Sequence, residues 1–104
     1  MKKRTEVRLL PQAEEDFLEI IEYISEDSLT AAEKMTQLFE FAFENLSINP
    51  MVGRAARENR LRLLGYRHLL VSPYLIFYRV RNEKILIHRI LHGARDYLAL
   101  LTYS

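Results

Sequence analysis

Ten residues near the end of the chain hold the side chains best suited to chemistry: His88-Arg89-Ile90-Leu91-His92-Gly93-Ala94-Arg95-Asp96-Tyr97. They follow the strand-like run Lys84 to Ile87 directly, so a strand delivers several polar groups to one place. Histidine there can exchange protons near neutral pH. Arginine can hold phosphate or carboxylate through paired hydrogen bonds. His92, at the strand end, is the candidate acid/base. A histidine on an apolar face with no His, Asp or Glu constellation around it is more often a packed residue than a ligand, and His68 and His88 are read that way.

The rest of the chain limits what such a cluster can be. A length of 104 residues predicts one domain, 1–104, with a single core. Hydrophobic residues make up 49%, and Gly and Pro number three each, which argues against a disordered tail. There is no cysteine, so neither a disulfide nor a zinc–thiolate site is available; no metal and no cofactor are expected. No run approaches the roughly 18 apolar residues of a membrane span, and the basic start leads into no signal core. A cytoplasmic protein without a membrane partner is the expectation.

The net charge of +1 conceals a division. Residues 1–50 carry five cations against eleven acids, and residues 51–104 carry ten cations against three acids, nine of the ten being arginine. Mutual neutralisation of the two halves is one account. An arginine surface for an anionic partner is the other.

The elements that must position these groups follow from periodicity. Residues 5–10 alternate loosely as a first strand, and Pro11 suits the first turn of a helix. Phe17, Ile20, Ile21 and Ile24 recur at helical spacing against a face of glutamates. Thr30-Ala31-Ala32-Glu33 has capping-box spacing and predicts a second helix to about Ser47, with Ala31, Met35, Leu38, Phe39, Ala42 and Leu46 as its buried stripe. A short turn makes the pair an antiparallel hairpin. Leu18, Phe41 and Phe43 fall outside the stripes, as wide core contacts or as a groove for a partner's helix.

Asn49-Pro50-Met51-Val52-Gly53-Arg54 ends the second helix, and an arginine-rich loop follows. Leu61 to Leu64 reads as a short strand with Gly65 as a bend. Three strands then follow, Tyr66–Val71, Tyr74–Val80 and Lys84–His92, joined tightly as an antiparallel meander. Asp96 to Tyr103 reads as a short apolar helix or tail. The order β-α-α-β-β-β predicts an α+β fold with a helical hairpin packed on one face of a small antiparallel sheet.

Side chains alternate along a strand, so parity sorts the polar residues. Odd positions collect every strand arginine: Arg67, Arg79, Arg81 and Arg89, beside Leu75, Phe77 and Ile87. Even positions collect His68, His88 and His92 with the aromatics. A regular register would make the odd set an open arginine face and pack the even set on the helices.

These residues together resemble the ParE branch of the RelE/ParE toxin superfamily. The resemblance is carried by Val7–Ala13 leading into Asp16–Ile24, by Asn49-Pro50 with Gly53-Arg54 as a P-x-x-G-R turn, and by Tyr66-Arg67, Ile76–Val80 and Ile87–Asp96 as strands. It implies a cytoplasmic growth inhibitor, the toxin of a type II toxin–antitoxin pair of the plasmid-stabilisation kind, neutralised in a hetero-oligomer by a ParD-like antitoxin. It implies DNA gyrase as the target, with Arg67, Arg79, Arg81, Arg89, Arg95 and Tyr97 contacting it. Leu18, Phe41, Phe43, Phe77 and Arg79 are the candidate antitoxin contacts.

The RelE branch cuts mRNA on the ribosome, and for that activity Arg79, Arg81, His92 and Arg95 are the candidate catalytic set. Such cleavage needs a proton acceptor for the attacking 2′-OH as well as cations around the phosphate. This chain has Leu75 where that branch commonly carries an arginine, and Arg54, Arg57 and Arg60 where it tends to carry lysines. Arginine stays protonated and serves poorly as a base. A non-enzymatic gyrase inhibitor is therefore preferred over an RNase, and a degenerate module that only binds its antitoxin is the third reading.

Overall fold

The computed structural model describes residues 4–93 and 97–102. Along the chain run β1 (Glu6–Leu9), α1 (Pro11–Asp27), α2 (Leu29–Ile48), β2 (Arg54–Ala55), α3 (Asn59–Leu63), β3 (Arg67–Val71), β4 (Tyr74–Arg81), β5 (Lys84–His92) and α4 (Tyr97–Thr102). The strands form one sheet in the order β1-β5-β4-β3-β2. The meander β3-β4-β5 is antiparallel as expected, but β1 runs parallel to β5, so the sheet is mixed. The parallel pairing follows from the hairpin, whose two long helices carry the chain back across the sheet before the meander begins.

Pro11 occupies the first turn of α1. The turn between α1 and α2 is a single residue, Ser28. Its backbone N–H closes α1 on the Ile24 carbonyl, while its hydroxyl oxygen accepts from Ala31 N–H at 3.1 Å and opens α2. Ser28 thus holds the capping role that the spacing assigned to Thr30, which lies inside the helix. The buried residues of α2 are Ala32, Phe39, Ala42 and Leu46; Ala31 and Leu38, expected in the stripe, are exposed.

The hairpin closes a core of Phe39, Leu46, Ile76, Tyr78, Ile85, Ile87 and Ile90. Phe17, Phe39 and Phe43 meet there with ring centroids 5.5–6.3 Å apart. The opposite face of the sheet is not open. Leu61 of α3 and Leu101 of α4 pack with Tyr66, Phe77 and Leu91 in a second core. Leu61–Leu64 is therefore no strand. The Glu58 carboxylate accepts from Arg60 N–H (3.1 Å) and Leu61 N–H (3.0 Å), capping a helical turn that Gly65 ends at φ 87°. α4 forms where a short apolar helix or tail was expected.

The register explains why parity misassigned the faces. Two-residue turns pair Val71 with Tyr74 and Arg81 with Lys84, so an odd residue opposes an even one throughout β3–β4 and in β4–β5 from the turn to Ile87. Asn82 and Glu83, both at positive φ, form the second of these turns. A bulge at His88 then shifts β5 by one residue, so that Tyr78 pairs with Ile87 and Phe77 with Arg89. Ile85 and Ile87 consequently face the hairpin along with Ile90, and Leu91 faces α3 and α4. The single open arginine face does not exist.

Candidate functional site

The loop after α2 is held by one tyrosine. Tyr78 is fully buried, and its hydroxyl donates to the Pro50 carbonyl and accepts from Gly53 N–H, each at 2.9 Å. A Cβ on Gly53 would stand 2.6 Å from that hydroxyl oxygen and 2.7 Å from the His68 carbonyl oxygen, which accounts for glycine in the turn. Arg67 donates to the Met51 and Gly53 carbonyls and so braces the same loop. Its guanidinium is spent on backbone and does not join the other strand arginines.

Arg79 and Arg81 do share a site. Both donate to the carbonyl of Leu64 at the end of α3, at 3.3 and 2.6 Å. Arg79 lies over the Tyr66 ring, 4.7 Å from its centroid, and donates through Nε to His88 Nε2 at 3.2 Å. Arginine can only donate, so His88 Nε2 accepts and the neutral ring carries its proton on Nδ1. That places the Nδ1 proton toward the Tyr66 hydroxyl, 3.4 Å away. Burial, then the charges of Arg79 and Arg81, push His88 down to about 4. A cleft of 450 Å³ opens here between Arg60, Leu63, Leu64, Tyr66, Arg79, His88 and Leu101.

Arg89 is elsewhere. Its Nε and a terminal nitrogen donate to the two oxygens of Asp16 on α1, at 2.7 and 2.9 Å, and Ile90 N–H donates to the same carboxylate at 3.0 Å. Both side chains are about nine-tenths buried. The hydrogen bonds to Asp16 hold the Arg89 guanidinium above its ordinary pKa. Asp16, which no sequence pattern singled out, is the one buried charge in the face of α1. A lone acid at a core position of an amphipathic helix is the signal that could have found it.

His92 lines a cleft of 400 Å³ with Gln12, Asp16, Glu19, Tyr23 and Arg89, on the hairpin side of the sheet. Its ring stands edge-on to Tyr74, 5.8 Å between centroids. The candidate catalytic set is thus divided, with Arg79 and Arg81 on the α3 face and His92 on the other. Arg95 and the side chain of Tyr97 lie outside the described residues. Of the candidate antitoxin contacts, Leu18 and Phe41 are 61% and 72% exposed, Phe43 is half-buried in the aromatic cluster, and Phe77, expected on an open face, is buried.

Arg54, Arg57 and Arg67 surround His68, whose pKa is lowered by burial first and then by those three charges. Arg54 is the cross-strand partner of His68. Among the described residues no group of three or more His, Cys, Asp or Glu could hold a metal ion, and no helix is long and apolar enough to cross a membrane.

Residues 7–97 match the family model described as the ParE toxin of the type II toxin–antitoxin system, parDE. Among solved structures, the chromosomal ParDE toxin–antitoxin system from P. aeruginosa is similar at 22% identity and TM-score 0.70, covering 86% of this chain and 97% of that one. The toxin–antitoxin complex RelBE2 from Mycobacterium tuberculosis is similar at 25% identity and TM-score 0.59, covering 86% and 98%. No curated protein matches.

Proposed function

The chain belongs to the ParE toxin family of type II toxin–antitoxin systems, and from that premise we propose that it is a growth inhibitor of DNA gyrase, held inactive by a cognate ParD-like antitoxin. The observation that carries the non-enzymatic reading is the separation of His92 from Arg79 and Arg81 by the thickness of the sheet. RNA cleavage by a 2′-OH needs a base and phosphate-binding cations at one scissile bond. Among the described residues the cations on the α3 face have His88 and the buried Tyr66 beside them, and His88 Nε2 is already engaged by Arg79. Binding is what such a face is equipped to do.

The antitoxin reading rests on the hairpin, where Leu18 and Phe41 stay exposed on helices whose other sides are packed. The two similar structures are of a toxin–antitoxin system and a toxin–antitoxin complex, which supports a hetero-oligomer here. The cytoplasm is the compartment in which such a pair would meet gyrase. The test is expression of the chain with and without the antitoxin, followed by two assays on the purified protein. Supercoiling by gyrase is expected to stop while ribosome-bound message stays intact. Message cut with supercoiling unaffected would reverse the assignment, and inactivity in both would leave an antitoxin-binding module.

A further inference from the structure

Residues 54–81 contain seven arginines and one carboxylate, Glu58, which is engaged in capping α3. Among the described residues the ion pairs are Arg4–Glu44, Arg8–Glu6 and Arg89–Asp16, so none of the seven is paired with a described carboxylate. Five of them fall on one side of the sheet. Arg54 is paired across from His68, whose ring contacts Phe77 of the second core, and Arg57 lies near the same histidine. Arg60 lines the cleft with Arg79, and Arg81 shares the Leu64 carbonyl with Arg79. The result is an arc of like charge from the β2 edge, past α3, to the end of β4.

We propose that this arc, Arg54, Arg57, Arg60, Arg79 and Arg81, binds the phosphate backbone of double-stranded DNA directly. Several guanidinium groups held near one another repel, and a continuous anion lying along them relieves that repulsion. A duplex supplies one charge per roughly 1.7 Å of its axis and releases counterions on binding. Single-stranded nucleic acid is recognised with aromatic platforms for its bases. Among the described residues the aromatics lining the arc's cleft are His88, engaged by Arg79, and Tyr66, which is 5% exposed and covered by the Arg79 guanidinium. Among the described residues the exposed tyrosine and phenylalanine, Tyr23 and Phe41, belong to the hairpin. The two histidines beside the arc are depressed by burial first and by their arginine neighbours second, the latter consistent with a positive field along its length. This inference does not depend on gyrase as the target, because binding is measured with DNA alone.

The experiment is fluorescence anisotropy of a short labelled duplex against the full chain, titrated between about 50 and 200 mM salt. Five phosphate contacts predict a salt slope near −4.5 and an affinity loss of several hundredfold over that range, at about 0.9 per contact. Arg54→Gln/Arg57→Gln/Arg60→Gln removes exposed side chains that make no hydrogen bond in the fold. It is expected to reduce the slope by about 2.7, whereas Arg4→Gln/Arg8→Gln leaves it unchanged. Arg54→Gln/Arg57→Gln, which leaves α3 intact, gives the same comparison if the triple variant unfolds. The proposal is overturned by no binding at the lowest salt, or by a slope that the arc substitutions do not change. Tighter binding of polyglutamate or of single-stranded RNA than of the duplex also overturns it.

Discussion

Arg89 and Asp16 lie 73 residues apart in sequence and meet in a two-bond ion pair that ties β5 to α1. The pair takes up the part of β5 beyond the last β1 partner, Leu9↔Ile87, where Asp16 also accepts the Ile90 N–H. A strand edge with no neighbouring strand is completed by a carboxylate from a helix.

Asp16→Ala leaves a buried guanidinium and a buried backbone N–H without their acceptor. The expected loss is about 3–5 kcal/mol, the range for breaking one half of a buried pair. Replacing both residues, Asp16→Leu with Arg89→Met, is expected to recover a large part of it. Urea unfolding of the three proteins checks this, and a double variant no more stable than Asp16→Ala would contradict it.

Tyr78→Phe is expected to cost about 1–3 kcal/mol, because Gly53 N–H and the Pro50 carbonyl lose a buried partner. Gly53→Ala collides with the same hydroxyl but also with the His68 carbonyl oxygen. Combining the two substitutions should therefore relieve only part of the Gly53→Ala penalty. Full relief in a thermal-unfolding comparison would mean that the backbone oxygen is not a barrier.

His88 has a pH signature. Its folded pKa, about 4, lies below the ordinary 6.5, so the unfolded chain binds the proton more readily. Its contribution to stability is fully present above pH 6.5 and is lost as pH falls toward 4. Arg79→Gln/Arg81→Gln removes the second cause of the depression. The midpoint, followed by NMR of the ring, should then move upward, while burial keeps it below 6.5. A midpoint that does not move would assign the whole effect to burial.

Phe41→Glu tests the hairpin as the antitoxin surface. The side chain is 72% exposed, so the melting temperature should stay nearly unchanged. Affinity for the antitoxin is expected to fall by tenfold or more, as for an aromatic anchor removed from an interface. Unchanged affinity by calorimetry would move the antitoxin elsewhere.

Both long helices and the meander were readable because their apolar residues repeat over many positions. The α3 turn was not, since Leu61-Arg62-Leu63-Leu64 has too few residues to show a period, and Glu58 decides it from outside the run. The sheet faces were half readable. Two-residue turns at Ser72-Pro73 and Asn82-Glu83 require opposed residues to differ in parity, and that arithmetic was present in the sequence. The bulge at His88 was not, because no residue type announces it. The site divided accordingly. Arg79, Arg81 and their charge were legible, while the capture of Arg89 by Asp16 depended on a contact between distant elements.

The bulge at His88 makes β5 two short ladders set out of phase, and this gives the strand an unusual sensitivity to length. Removing one residue there would restore an unbroken ladder. Ile90 would keep its place opposite Ile76 on the hairpin side and Leu91 its place opposite Leu75, while Arg89, opposite Phe77, would turn to the α3 face and leave Asp16. A relative aligned with a one-residue gap at this point would keep the packing of β5 but lose the tie between Arg89 and Asp16. The spacing between Ile87 and Arg89, as much as their identity, is what a comparison of such chains has to preserve.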